Sequence, residues 1–208
     1  MKAISLISGG FDSAVSSDIA KKDYDIVGLH FTLEPITDNK TAIKSSEISK
    51  KVGIKKMYTI KSGSYFADIA KKCRHELYFV LSKRFMIKTA EKIAEKEKAK
   101  AIITGENLAQ VSSQTLSNLA NIQKVTKLEL IRPLLCYDKI EIIDYAKKIK
   151  TFDISKGPEI CDLLGPRHPA TKSEINEILK EEKKLNIDKL VKEAVKNAKI
   201  KSFHWKGK

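Results

Sequence analysis

Apolar positions along this chain recur with two alternating periods. Lys2 to Ile7 is a short apolar run that stops at a Gly-Gly pair, and Asp12 to Lys22 follows with apolar residues at helical spacing. The chain therefore opens strand, loop, helix. Tyr24 to Phe31 reads as a second buried strand, Thr41 to Val52 as a helix closed by Gly53, and Lys56 to Ile60 as a third strand. Glu76 to Lys98 predicts a long helix with Leu77, Val80, Leu81, Phe85, Ile87, Ala90 and Ile93 largely on one side, leading into the strand Ala101 to Thr104 and a turn at Gly105. Asn107 to Ile122 reads as mostly helical and Leu128 to Ile131 as a fifth strand. Asp138 to Ile149 reads as a helix whose apolar positions are Ile140, Ile143, Tyr145 and Ala146. Such alternation specifies an α/β fold: a doubly wound parallel five-stranded sheet with helices on both faces.

From Thr151 to Ala170 the pattern breaks into a Gly- and Pro-containing loop. Ser173 to Lys184 and Ile187 to Asn197 then read as two amphipathic helices, the second with Ile187, Leu190, Val191, Ala194 and Val195 on one stripe. The expected division is a nucleotide-binding domain over 1–170 and a helical C-terminal extension with a basic tail over 171–208. That tail mixes lysines with Phe203, His204 and Trp205. Two readings stand: it tracks a nucleic-acid backbone and stacks on a base, or its aromatics dock it on the core.

Composition changes the picture in one respect. At 208 residues, 42% hydrophobic and 32% charged, the chain is an ordinary globular one, which excludes disordered, collagen-like and disulfide-stapled classes. No apolar run approaches a membrane span and no signal peptide is apparent, so a cytoplasmic protein without membrane contact is expected. However, 40 Lys plus Arg stand against 26 Asp plus Glu, a net charge of +14. The functional reading of that excess is a polyanionic partner; the plainer one is solvated helix faces. The three cysteines, Cys73, Cys136 and Cys161, contain no CxxC pair, which points away from disulfides and from a CxxC zinc site.

The segment Ser8-Gly9-Gly10-Phe11-Asp12-Ser13 follows a strand and opens a helix, the setting in which a Gly-rich turn becomes an anion site. Ser8 and Ser13 offer hydroxyl donors. Asp12 is electrostatically odd among phosphates unless it holds a divalent cation or orients a neighbour.

This SGGFDS segment resembles the signature of the PP-loop ATP pyrophosphatases, which adenylate a carbonyl oxygen and release pyrophosphate. ITGENLAQVSSQTLSNL (103–119), LSKRFMIKTA (81–90) and IRPLLCYDK (131–139) together resemble the ATPase domain of the tRNA 4-thiouridine synthetase family, and the likeness runs from Met1 to about Ala170. It implies ATP and Mg²⁺ as cofactors, tRNA as partner and a separate sulfur donor. It places Leu6, Ile7, His30 and Phe31 around the adenosine, Lys83 on the phosphates, Gly105 beside the adenine and Gln114 at the nucleotide. Arg84 either supplements Lys83 or faces solvent. The resemblance makes Cys161, in the segment PEIC, the thiol that carries sulfur, with Asp12 and Cys136 as further catalytic candidates.

Against the family pattern, the chain reads as opening at the first strand without a tRNA-binding domain and closing without a rhodanese domain. A stand-alone form is expected, served by a separate RNA-binding subunit or by a homodimer. Topology puts all three cysteines near the sheet edge that binds nucleotide. A related group of tRNA-thiolating enzymes holds a [4Fe-4S] cluster on three cysteines, so such a cluster on Cys73, Cys136 and Cys161 is expected here. Two other functions stay open: a PP-loop enzyme sulfurating or amidating a small molecule or carrier protein, and a non-catalytic module that binds nucleotide or a cluster and hands on sulfur.

Overall fold

A computed structural model describes residues 1–108, 111, 114–157 and 163–203. All five expected parallel strands are present: β1 (Lys2–Leu6), β2 (Asp25–Thr32), β3 (Lys56–Lys61), β4 (Ala101–Ile103) and β5 (Glu129–Ile131). Helices α1 (Phe11–Ala20), α2 (Lys40–Lys51), α3 (Gly63–Lys72), α4 (Tyr78–Glu97), α5 (Leu116–Gln123) and α6 (Lys139–Lys148) connect or follow them. The short α7 (Phe152–Ser155) leads to α8 (Ile175–Lys183), α9 (Ile187–Lys196) and β6 (Lys199–Ser202).

The sheet has six strands, not five, in the order β5-β4-β1-β2-β3-β6, and β6 runs antiparallel to β3. From β1 the chain builds outward through β2 and β3, then crosses to build β4 and β5 on the other side. Strand order thus reverses between β1 and β4. Loops leaving two such neighbours diverge to opposite faces, which opens a crevice at their carboxyl ends. The phosphate loop leaves β1 at that crevice.

Four local expectations are corrected. After Gly105 the described α-helix is Leu116–Gln123; ahead of it, Leu108 N donates to Leu135 O at 2.9 Å and Asn107 Nδ2 to Tyr137 O at 2.6 Å. Helix α3 was not expected, because Phe66 and Ile69 are its only large buried side chains and give a short apolar stripe. On α6, Ile142 and Ala146 face inward, four residues apart, while Ile140 is 69% exposed. The segment KIKS is a strand because β3 would otherwise expose an unpaired edge; its exposed lysines then cap the new edge against further pairing.

The C-terminal helices pack into the same core as the sheet. Ile178, Leu185, Ile187, Val191, Ala194 and Val195 belong to the same hydrophobic cluster as Leu29, Leu81, Phe85 and Ile102. Phe203 is buried and its amide donates to Lys55 O at 2.8 Å, so this aromatic docks on the core; His204 and Trp205 lie outside the described residues.

Candidate nucleotide and sulfur site

The turn between β1 and α1 has the construction of an anion cradle. Gly9 adopts φ +95°, where a side chain would be strained. Gly10 is the N-cap of α1 without any side-chain cap, so the first-turn amides keep their donor capacity and the helix dipole points at the loop. Ser8 Oγ accepts from Gly10 N at 3.2 Å and donates to Ser13 Oγ at the same distance, while Ser13 Oγ donates to Gly10 O at 3.0 Å. Both hydroxyls brace the loop in the absence of an anion.

A second helix start meets the first. Asp138 and Glu141 form a capping box that opens α6 and puts Lys139 at its first position. A lysine there opposes the helix dipole, so helix stability does not account for it. Its Nζ lies 3.2 and 3.4 Å from the two carboxylate oxygens of Asp12, in the first turn of α1. The odd carboxylate of the loop is thereby paired. Lys139 carried no assignment from sequence, although it ends the segment IRPLLCYDK; only the folded proximity of two helix N-termini gives it one.

Gly105 is required by close packing, whatever it offers a planar base. A Cβ there would sit 2.8 Å from the Asp12 carbonyl carbon and 2.9 Å from Ser13 N, so β4 ends against the backbone of the phosphate loop itself. The next residue, Glu106, is 1% exposed. It accepts from Lys83 Nζ at 3.2 Å, Arg132 Nε at 2.8 Å and Thr104 Oγ1 at 3.1 Å. Burial alone would push its carboxyl up, but the charges of Lys83 and Arg132 outweigh that and hold it below the usual carboxylate range. Glu106 and Arg132 were also unassigned; a carboxylate directly after a strand-end glycine was the available signal.

The adenosine-side candidates sit together at the ends of β1 and β2. Leu6, Ile7 and His30 are buried and Phe31 packs edge-on against Phe85 at 6.1 Å, so Leu6 and Ile7 have their backbone to offer a ligand. His30 Nδ1 lies 2.6 Å from Ile7 O and 2.9 Å from Ser45 Oγ. A carbonyl only accepts, so Nδ1 carries the proton and Nε2 presents a lone pair, which has no partner among the described residues. Burial pushes His30 down to about 4. Gln114 Oε1 accepts from Asn107 N at 3.2 Å and closes the loop after β4.

Arg84 neither joins Lys83 nor faces solvent. It is 3% exposed, with Nε and Nη2 on Glu182 at 2.6 and 2.9 Å and Nη1 on Asn121 O at 2.6 Å.

Nor do three thiols converge among the described residues. Cys73 lies in the main hydrophobic cluster, its Sγ donating to Glu181 O at 3.6 Å; burial, aided by the negative charge of Glu181, pushes the thiol up to about 11. A cluster on this thiol would have to displace both its apolar packing and its bond to Glu181 O. Cys136 is exposed, and Cys161 lies outside the described residues. Among the described residues no three His, Cys, Asp or Glu side chains group as a metal site.

The family model described as thiamine biosynthesis protein (ThiI) matches residues 1–187. A probable tRNA sulfurtransferase of Finegoldia magna is 35% identical over 206 residues, which cover 96% of this chain and 53% of that protein. The crystal structure of a 4-thiouridine synthetase–RNA complex with bound ATP superposes with a TM-score of 0.92 at 33% identity, covering 98% of this chain and 55% of that one. The U34-tRNA thiolase NcsA from Methanococcus maripaludis with its [4Fe-4S] cluster superposes at 0.55 with 15% identity, covering 95% and 72%, and shares the fold. This chain therefore spans about half the length of the curated relatives it matches.

Proposed function

The chain belongs to the ThiI family, and from that premise we propose that it carries the ATP-using half of a tRNA sulfurtransferase, making 4-thiouridine or a similar thiolated base. The observation that supports this most is the uncapped start of α1 behind Gly9, with the Asp12–Lys139 pair beside it.

In the proposed reaction the carbonyl oxygen of a tRNA uridine attacks the α-phosphorus of ATP. A C–O–P linkage forms, the bond from that phosphorus to the β-bridging oxygen breaks, and pyrophosphate leaves with the electron pair. Sulfur from a donor then attacks the activated carbon; a C–S bond forms, the C–O bond breaks, and AMP departs with the oxygen. The amides of the SGGFDS turn, Ser8, Ser13 and Lys83 hold the phosphates, while Leu6, Ile7, His30, Phe31, Gly105 and Gln114 line the adenosine side. Asp12 is the residue that would hold Mg²⁺, which supplies charge neutralisation when bound; Lys139 fixes its carboxylate meanwhile. Cys161 is the proposed sulfur-carrying thiol: loaded as a persulfide by a sulfane-sulfur donor, it presents the outer sulfur to the carbon, and attack of a second thiol, for which the exposed Cys136 is the candidate, on the inner sulfur then breaks the S–S bond and leaves a disulfide for an external thiol to reduce.

No step is assigned to iron; a [4Fe-4S] cluster would need Cys73, Cys136 and Cys161 together, and Cys73 is packed in the core. The expected partners are tRNA, a sulfur donor and an RNA-binding part, on a separate subunit or a second copy; a cytoplasmic setting follows from the tRNA substrate. Among the described residues no helix is long and apolar enough to cross a membrane. The family description, thiamine biosynthesis, favours a second reading in which a small molecule or carrier protein accepts the sulfur.

The purified chain, ATP, a persulfide donor with excess thiol reductant, and unmodified tRNA form the test. Pyrophosphate release that depends on tRNA, with a thiolated nucleoside by mass spectrometry, is expected from colourless, iron-free protein. Turnover that needs a carrier peptide instead would favour the second reading. Turnover restored only by iron would reinstate the cluster.

A further inference from the structure

Two arginines have different hydrogen-bond accounts: Arg84, buried on α4, and Arg132, half-buried just past β5. Arg84 is fully spent: one carboxylate and one carbonyl take all its inward donors, and its charge is matched one to one by Glu182. Arg132 is not. Its Nε goes to Glu106 and its Nη1 to Gln123 Oε1 at 3.3 Å, while Nη2 is a buried donor with no partner among the described residues. Glu106 must also serve Lys83, so two cations share one carboxylate and the cluster keeps one uncompensated positive charge. Excess charge and an unmet donor in a mostly buried place are both unfavourable unless an anion completes them.

The place is specific. Glu106 follows Gly105, whose α-carbon abuts the backbone of Asp12 and Ser13, so the cluster begins one residue from the phosphate loop. Lys83 is 28% exposed and reaches the open side; Arg132 is 13% exposed and lies behind it. A guanidinium presents a planar fork suited to phosphate oxygens, whereas an ammonium acts as a point charge.

Resting on the functional reading above, we propose that Arg132 is a binding residue for the pyrophosphate half of ATP, forming with Lys83 a second wall opposite the SGGFDS turn. When the acceptor oxygen bonds the α-phosphorus, the bond to the bridging oxygen breaks and that oxygen takes up negative charge as pyrophosphate departs. A cation held in place by Glu106 gains most from this contact as the charge develops.

Calorimetric titration of ATP and of AMP into the full chain tests this. Wild-type protein is expected to prefer ATP. Arg132→Met should weaken ATP by about tenfold or more while AMP changes by less than about twofold, and Arg132→Lys should fall between. Equal losses for both nucleotides, or none, in a variant that still unfolds cooperatively would overturn the proposal and leave the functional reading standing. Wild-type protein that binds neither nucleotide would overturn both. Should Arg132→Met not fold, a crystal of the wild type with inorganic pyrophosphate decides. Nη2 within roughly 3.2 Å of a phosphate oxygen supports the assignment, and an Arg132 still confined to Glu106 and Gln123 refutes it.

Discussion

At the scale of single residues, His30 shows that sequence gives a residue's place on a strand but not its protonation. Its position at the end of β2 followed from strand-end logic, but its protonation did not, because burial is a property of the packed neighbours. With its pKa lowered to about 4 from an ordinary 6.5, the folded protein refuses a proton that the unfolded chain accepts. The sign follows: this contribution to stability is complete above pH 6.5 and is lost progressively as pH falls towards 4, with a limiting slope of about 1.4 kcal/mol per pH unit. The nearby Glu34 and the carbonyl of Ile7 oppose the shift without cancelling it. His30→Asn, which keeps a donor near the Nδ1 position, should be less stable at pH 7.5 yet show a flatter dependence between pH 6.5 and 4.5. Urea unfolding midpoints across that range measure both; parallel curves for the two proteins would refute a neutral buried imidazole. Cys73 carries the same lesson, since its spacing to the next helix was visible but its apolar surroundings were not.

At the scale of elements, what sequence could show was the face each helix buries. The stripes of α4 and α9 are buried as the 3.6-residue period requires, down to Leu81, Phe85, Val191 and Ala194. The period could not say which helix covers which, and so could not see that Arg84 and Glu182, 98 residues apart, meet as a bidentate pair between α4 and α8. Nor could it distinguish Ile140 from Ile142 on α6, where neighbouring apolar residues offer two overlapping stripes and the capping box fixes the rotation. For the Arg84 pair the energetic expectation is asymmetric. Removing one partner strands a buried charge, so Glu182→Gln or Arg84→Met should each cost about 3–5 kcal/mol, whereas the double variant Arg84→Met/Glu182→Leu should recover most of that loss. Chemical denaturation of the four proteins closes the cycle. Additive single losses would mean the two side chains act independently and that α8 is held by its apolar face alone.

For the whole molecule, the doubly wound sheet was legible because strand and helix periods alternate, and the tight turn between β1 and α1 was legible because two glycines sit at that junction. The sixth strand was not, since four residues with two lysines look like a solvated tail until an edge strand needs a partner. That difference bears on where the fold ends. Helices α8 and α9 cover the outer face of α4, the helix whose other side presents Lys83 to Glu106. β6 pairs with β3, the neighbour of the strand that carries His30. Cutting after Ala170 would therefore strand the Arg84 guanidinium, remove Ile178, Val191 and Ala194 from the cluster that holds Leu81 and Phe85, and unpair the β3 edge. If 1–170 were a self-sufficient domain, the truncated chain should keep a cooperative urea transition with an m-value scaled to its length. The packing instead predicts a chain that binds a hydrophobic dye, unfolds without a sharp midpoint and has lost its affinity for ATP. Retention of both cooperativity and ATP affinity in that truncation would show that the C-terminal helices are carried by the sheet without supporting it.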